Sequence, residues 1–446
     1  MKDYSLFPAK STKERKPAVR MSRMAAPYLD VFRSPRIAAV LVLGFSSGFP
    51  LALTGSTLQA WLTVSAIDIK TIAWFSWIGL PYALKFLWSP LMDRYAPPLL
   101  GRRRGWMILT QFGLIAGIAA MAVSPPGDAL WLLGLAALWV AFMSASQDVV
   151  IDAYRTDVLN ASERGAGAAV GVLGYRMAML ASGALALVLG DQIGWQTTYF
   201  IMAALMLVGT ATAWLAPEPV VPAGVPRTLG EAITKPLADL FTRPGALSLL
   251  ALVLLYKFGD ALAGTLTTAF LIRGVGFTPT DVGVVNKGLG LASLLIGALA
   301  GGMLLSRMSL YRALFIFGVL QAVSNLSFAW LAWAGKSYPL LVFAVGFENL
   351  ASGMGTAAFV AFAMALCNHS FSATQYALLS AIASLGRILF GPMAGQMVES
   401  LGWDGFFVLT FVAALPGLVL VWWMRERISE VERVAAPAVA GAPATS

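Results

Sequence analysis

The chain has 446 residues, 58% of them hydrophobic and only 12% charged, with a mean hydropathy of +0.76 and a formal net charge of +9. A soluble domain carries roughly twice that charged fraction, so the composition excludes a soluble globular protein and describes a polytopic membrane protein. One cysteine, Cys367, excludes an intramolecular disulfide framework, and one histidine, His369, leaves neither a histidine metal site nor a histidine relay, so no enzyme, metal or cofactor chemistry is expected.

Residues 1–36 form a basic tail without the short apolar core and small-residue cleavage site of a signal peptide. Twelve apolar segments follow, near 37–62, 71–92, 105–122, 129–155, 166–190, 195–215, 247–272, 281–305, 311–333, 338–367, 374–398 and 403–424. Each is long enough to cross a hydrocarbon layer of about 30 Å. With the N-terminus inside, the cytoplasmic segments hold 23 Lys and Arg, the outer loops hold three, and five fall within the apolar segments. That asymmetry places both termini in the cytoplasm by the positive-inside rule and explains the net charge without nucleic acid.

The chain is duplicated. Phe32-Arg33-Ser34-Pro35 before the first segment answers Phe241-Thr242-Arg243-Pro244 before the seventh, and Ala60-Trp61-Leu62 answers Ala269-Phe270-Leu271, both 209 residues apart. Arg176 and Arg387, each ending a twelve-residue step from Arg164 or Gln375, are 211 apart, and Asp93-Arg94 answers Ser306-Arg307 at 213. The expected organisation is a six-helix bundle over 37–215, a Pro-rich connector over 216–246, a second bundle over 247–424 and a cytoplasmic tail over 425–446. Six segments per half is an even number, so the halves are parallel repeats about an axis along the membrane normal. Pro50 and Pro81 are expected to kink their helices. Small residues such as Gly171, Gly174 and Gly297 permit close helix approach, for static packing or for sliding.

Charge inside an apolar segment is costly and marks candidate function. Asp148 and Asp152 share one face of the fourth segment, with Asp148 about 9 Å and Asp152 about 15 Å toward the cytoplasm from its midpoint. Asp152, Arg155 and Asp157 are expected in a cytoplasmic ion-pair latch with Arg94 and Arg164, next to Asp93. Asp260 lies mid-segment one turn from Lys257, and Glu348 lies about 6 Å outside the centre of the tenth segment. Asp148, Asp260 and Glu348 are therefore the candidates for proton coupling. Lys85, Arg176, Lys257 and Arg387 are deep cations for an anionic ligand, and Gln59, Gln147 and Asn349 are candidate hydrogen-bonding partners. Trp61, Trp74, Trp77, Tyr82, Trp88 and Tyr175 are aromatic faces for sugar stacking or for packing.

Asp93-Arg94-Tyr95 followed by Gly101-Arg102-Arg103-Arg104 resembles the loop between helices 2 and 3 of the major facilitator superfamily, with Ala96-Pro97-Pro98-Leu99-Leu100 inserted. The insertion, together with GFSSGFPLALTGSTLQAWL (44–62), SASQDVVIDAYRTDVL (144–159), ERGAGAAVGVLGYR (163–176), LYKFGDA (255–261) and SFSATQYALLSA (370–381), is similar to the AmpG-type muropeptide permeases. The resemblance implies an all-α integral membrane protein of twelve transmembrane helices in two bundles around a central cavity. It also implies a bacterial inner-membrane importer of anhydro-muropeptides, driven by protons through alternating access and serving cell-wall recycling and β-lactamase induction. Its partners would be a small glycopeptide, protons and the bilayer. The family is also similar to acetyl-CoA transporters, which keeps acetyl-CoA or another anionic solute open, and a sensor that binds without transporting is the alternative from another class.

Reporter fusions after Pro126 and Lys336 should read periplasmic, and fusions after Leu99 and Val225 cytoplasmic. A reversed pattern would refute the two-half topology.

Overall fold

The computed structural model describes residues 34–89, 92, 95, 97, 101–127, 130–159, 164–219, 238, 240–242, 245–305, 307–366 and 372–435. Asp93, Arg94, Cys367 and His369 lie outside these residues, as do the side chains of Arg164 and Arg387. All the described secondary structure is helical. In chain order the helices are α1 (Pro35–Val64), α2 (69–87), α3 (Arg102–Ala122), α4 (Leu130–Val158), α5 (164–193), α6 (Trp195–Leu215), α7 (Ala246–Gly274), α8 (Pro279–Leu305), α9 (Leu310–Ala334), α10 (Tyr338–Leu366), α11 (372–401), α12 (403–423) and a polar α13 (Arg425–Ala435). Ten stretches are long and apolar enough to cross a membrane; one of them runs through α11 and α12, which meet at Gly402. Gly402 has φ +73°, a left-handed conformation that breaks the helix and that glycine adopts without steric cost.

Two of the helices are broken, the first beside the proline expected to kink it. In α2, a 3₁₀ turn over Phe75–Gly79 precedes Pro81, whose missing N–H cannot bond the carbonyl four residues back. In α7, Lys257 is non-helical (φ −100°, ψ 1°) and separates Ala246–Tyr256 from Phe258–Ala269. Wider π turns interrupt α1 at Leu53–Thr57, α5 at Leu180–Leu185, α7 at Phe270–Gly274 and α8 at Val282–Leu289. Pro50 leaves the Ser46 carbonyl without its helical donor, and the Gln147 amide of α4 fills that place at 2.8 Å.

Within the first half α1 packs on α5, and α3 packs on α4 and α6; within the second, α8 packs on α10, and α9 on α10 and the α11–α12 run. Glycines set the closest approaches. A Cβ on Gly174 would collide with the Leu41 carbonyl of α1, and one on Gly297 with the Leu350 carbonyl of α10. These contacts are close packing of backbone on backbone. The duplication extends to helix caps. Glu218, just beyond α6, accepts from the Arg103 and Arg104 amides at 2.9 and 3.0 Å, and Glu432, just beyond α12, accepts from the Leu310 amide at 3.0 Å. Each half thus caps its third helix with a carboxylate from the chain that follows its sixth, at positions 218 and 432.

The core has three parts. One apolar cluster unites both halves at the end away from the Arg102–Arg104 loop, joining Phe49, Trp61 and Ile69 to Leu266, Phe270 and Phe277. At the other, basic end each half has its own separate cluster among the described residues, around Val40, Met107 and Tyr154 in one and Val253, Phe317 and Phe362 in the other.

Glu218→Ala and Glu432→Ala should each lower stability by about 1 kcal/mol, the usual worth of an N-terminal cap. Thermal unfolding in detergent checks this, with exposed Glu430→Ala as the control that should not change; unchanged melting of both cap variants would refute it.

Candidate functional site

A cavity of ≈ 630 Å³ lies between the two halves. The first half lines it with Thr54, Ser56 and Gln59 from α1, Ser76, Tyr82 and Lys85 from α2, Asp148 from α4 and Tyr175 and Arg176 from α5. The second half supplies Thr265 and Thr268 from α7, Asn286 and Lys287 from α8, and Glu348 and Asn349 from α10. The π turns fall along the cavity wall: those in α1 and α8 carry Thr54, Ser56, Asn286 and Lys287 to it, and that in α5 meets it at Gly183.

Of the residues expected from sequence, Gln59, Lys85, Asp148, Arg176, Glu348 and Asn349 meet in this cavity. Lys85, Arg176 and Lys287 face Asp148 and Glu348, giving three cations against two carboxyl groups in a low-dielectric site. Asp148 accepts a hydrogen bond from Ser47 of α1. Arg176 approaches the Met179 sulfur at 3.8 Å, and its Nε is buried with no hydrogen-bond partner among the described residues. Such an arrangement is suited to an anion that brings its own charge, since a buried cation without a counter-ion is costly.

Other expected residues lie elsewhere. Gln147 is fully buried and does not line the cavity; its amide completes the α1 backbone at Pro50. Lys257 and Asp260 sit behind the wall, their charged atoms 3.6 Å apart, with Lys257 donating to Thr356 Oγ1 at 2.9 Å and Ser352 donating to Asp260 at 3.1 Å. At the basic end Asp157 pairs with Arg103 at 2.9 Å, a partner within its own half, and Asp152 pairs with Arg155 at 3.0 Å while remaining 60% exposed. The expected latch partners Asp93, Arg94 and the Arg164 side chain lie outside the described residues. Among the aromatics, Tyr82 and Tyr175 face the cavity, whereas Trp61 is core, stacked on Trp195 and tilted against Tyr199. Trp88 donates to Ser146 at 2.9 Å, and exposed Trp74 and Trp77 meet edge to face.

Lys287 and Asn286 were not singled out by sequence. They lie close to the start of the segment 281–305, where a lysine reads as an interfacial residue, and only the π turn carries them to the cavity. Its presence among the five cations of the apolar segments was the available signal.

The halves are clasped at the end opposite the basic loops. Gln59 donates to the Thr265 carbonyl at 2.6 Å, Arg273 to the Thr63 carbonyl at 3.0 Å, and Thr280 Oγ1 to Asp191 at 2.5 Å. Lys70 and Glu399 form an ion pair at 2.5 Å. With the apolar cores merged there and separate at the basic end, the cavity opens toward the basic end.

The Major Facilitator Superfamily pattern matches residues 37–374. The anhydromuropeptide permease of Escherichia coli is 55% identical over 407 residues, covering 91% of this chain and 83% of that protein. An uncharacterized protein of Haemophilus influenzae is 37% identical, covering 85% of this chain and 92% of its own length. Among solved structures, an inward-facing bacterial homologue of the human lysosomal transporter Spinster superposes with a TM-score of 0.67 at 16% identity, over 90% of this chain and 97% of that one.

In a Cys367→Ser background, Ser56→Cys and Asn286→Cys should react with a membrane-impermeant maleimide from the side that labels Glu426→Cys on α13. They should stay unreactive from the side that labels Gly335→Cys, between α9 and α10. The opposite pattern would show the cavity open at the clasped end.

Proposed function

The chain belongs to the major facilitator superfamily, among its anhydromuropeptide permeases, and on that premise we propose that it imports N-acetylglucosaminyl-1,6-anhydro-N-acetylmuramyl peptides from periplasm to cytoplasm. The observation that carries this reading is the 55% identity to a permease of that name over nearly the whole chain. The cavity supports it. Its three cations suit the carboxylates of a short peptide, and its hydroxyl, amide and tyrosine groups suit a disaccharide with acetamido substituents.

The reading has twelve membrane crossings: nine of the ten apolar stretches, α2, and α11 and α12 on either side of Gly402. Both termini are cytoplasmic, so the basic end faces the cytoplasm and the clasp faces the periplasm. On this reading the cavity opens inward, and import requires the halves to rock until the clasp parts and the basic end closes. Transport is proton-driven, because release of a buried carboxyl proton biases one state only if that state binds the proton differently. Asp148, Asp260 and Glu348 are the groups available for it, and Asp152, Arg155 and Asp157 with Asp93, Arg94 and Arg164 form the inner gate. Gln59, Lys85, Arg176 and Asn349 contact cargo, with Lys257 and Gln147 supporting the wall, and Arg387, the counterpart of Arg176 in the second half, is a further cargo-binding candidate. The cell inner membrane is its location, and peptidoglycan recycling with β-lactamase induction is its physiological setting.

In proteoliposomes, radiolabelled anhydro-muropeptide should accumulate only when the periplasmic side is made acidic. Linking the clasp by a disulfide between Asp191→Cys and Thr280→Cys should abolish that uptake, and a reductant should restore it. Accumulation without a pH gradient would remove proton coupling, and full uptake by the cross-linked protein would remove alternating access through this clasp.

A further inference from the structure

The second half holds four charged side chains together where α7, α8 and α10 meet. Lys257 lies 3.6 Å from Asp260 Oδ2, which also accepts from Ser352 at 3.1 Å. Glu348 Oε2 accepts from Asn349 at 2.7 Å. The second Asp260 oxygen, Oδ1, is buried and has no donor among the described residues, and Glu348 lies one turn before Ser352 on the same face of α10, the face that meets Asp260. Two ionised carboxylates brought together there would both accept and neither donate, whereas one proton held between them would satisfy both.

Lys287 stands on the other side of Glu348. It feels the Glu348 charge but makes no ion pair or hydrogen bond with it or with any other described residue. Its stem crosses the seam between the halves and passes 3.8 Å from where a Cβ on Gly183 of α5 would sit, and its head lines the cavity. Among the described residues, the charged groups acting on Glu348 are Lys257 and Asp260 from α7 and Lys287 from α8. From α9, also packed on α10, the buried groups at that depth are the neutral Gln321 and Asn325.

We propose that Asp260 and Glu348 share one proton, and that this proton releases Lys287 to bind a carboxylate of the cargo peptide. The inference rests on the muropeptide reading above. With the proton bound, the pair carries one negative charge, which Lys257 balances, and Lys287 needs an anion from outside. With the proton gone, Glu348 becomes a second anion, takes Lys287 as its own counter-ion and displaces the cargo carboxylate. Cargo and proton are then bound together and lost together without touching each other. A residue on the seam of the two halves is well placed to pass that exchange to the rocking motion.

Isothermal titration of the purified protein in nanodiscs, in buffers of different protonation heat, tests this with an anhydro-muropeptide and its carboxamide derivative, in which the peptide carboxylates are amides. Wild type should bind the carboxylate form about tenfold more tightly at about pH 6 than at about pH 8, and should take up close to one proton per ligand at the higher pH. Lys287→Met should weaken the carboxylate form about tenfold and leave the carboxamide form within about twofold, while Lys287→Arg should keep the preference. Glu348→Gln should bind the carboxylate form without proton uptake and without pH dependence, and Glu348→Met gives the same readout should the first variant not fold. Unchanged binding by Lys287→Met, or proton uptake persisting in both carboxyl variants, would overturn the proposal while leaving the cargo reading intact. A folded wild-type protein that bound neither ligand would overturn the cargo reading and the proposal with it.

Discussion

The apolar core that joins Trp61 and Ile69 of the first half to Leu266 and Phe270 of the second lies at one end of the molecule only. At the other end Tyr154 and Phe317 belong to separate cores, each buried within its own half. Two bundles that share a core at one end and not at the other enclose a wedge, and the polar cavity is the closed apex of that wedge. The clasp reinforces the shared end with contacts of a reversible kind. Gln59 and Arg273 bond to carbonyls across the seam, Asp191 accepts from a hydroxyl, and Lys70 pairs with Glu399 where both are partly exposed. An exposed ion pair contributes on the order of 1 kcal/mol or less, so no member of the clasp locks the halves on its own.

A membrane interior forces every polar group in it to find a partner. Most of the polar residues within these helices meet that demand in ways unrelated to ligand. Gln147 restores the carbonyl that Pro50 leaves bare, Thr57 donates to the Ser182 carbonyl at 2.6 Å, and Tyr199 donates to the Leu53 carbonyl at 2.8 Å. Among the described residues, Lys287 and one edge of Arg176 have no internal acceptor and stand beside a cavity large enough for a ligand.

The two halves correspond in their packing but differ in their charges. Their shared features are structural: glycines under crossing helices, and a carboxylate from beyond the sixth helix capping the third. The charges differ. The first half sets Lys85, Asp148 and Arg176 singly around the cavity, whereas the second gathers Lys257, Asp260, Lys287 and Glu348 into one contiguous group. A contiguous group can move a charge from one partner to another, and isolated ones cannot.

Sequence alone determined the membrane character, the duplication, the apolar segments and the deep charges, because each follows from hydropathy and charge along the chain, which lateral packing does not alter. It also singled out Asp148, Arg176, Glu348 and Asn349, since an ionisable or amide group deep in an apolar run is conspicuous whatever surrounds it. What it could not supply was direction around each helix axis. Gln147 and Asp148 are neighbours and both reach α1, yet only Asp148 also lines the cavity; Lys287, near the start of its segment, reaches the cavity on eight residues of π helix. The partners of Asp157, and the meeting of Asp260 with Glu348 from helices 88 residues apart in sequence, were likewise decided by tertiary packing. A contact between helices depends on their crossing and phase, and those are fixed only when all the bundles' glycines, prolines and apolar faces are satisfied at once.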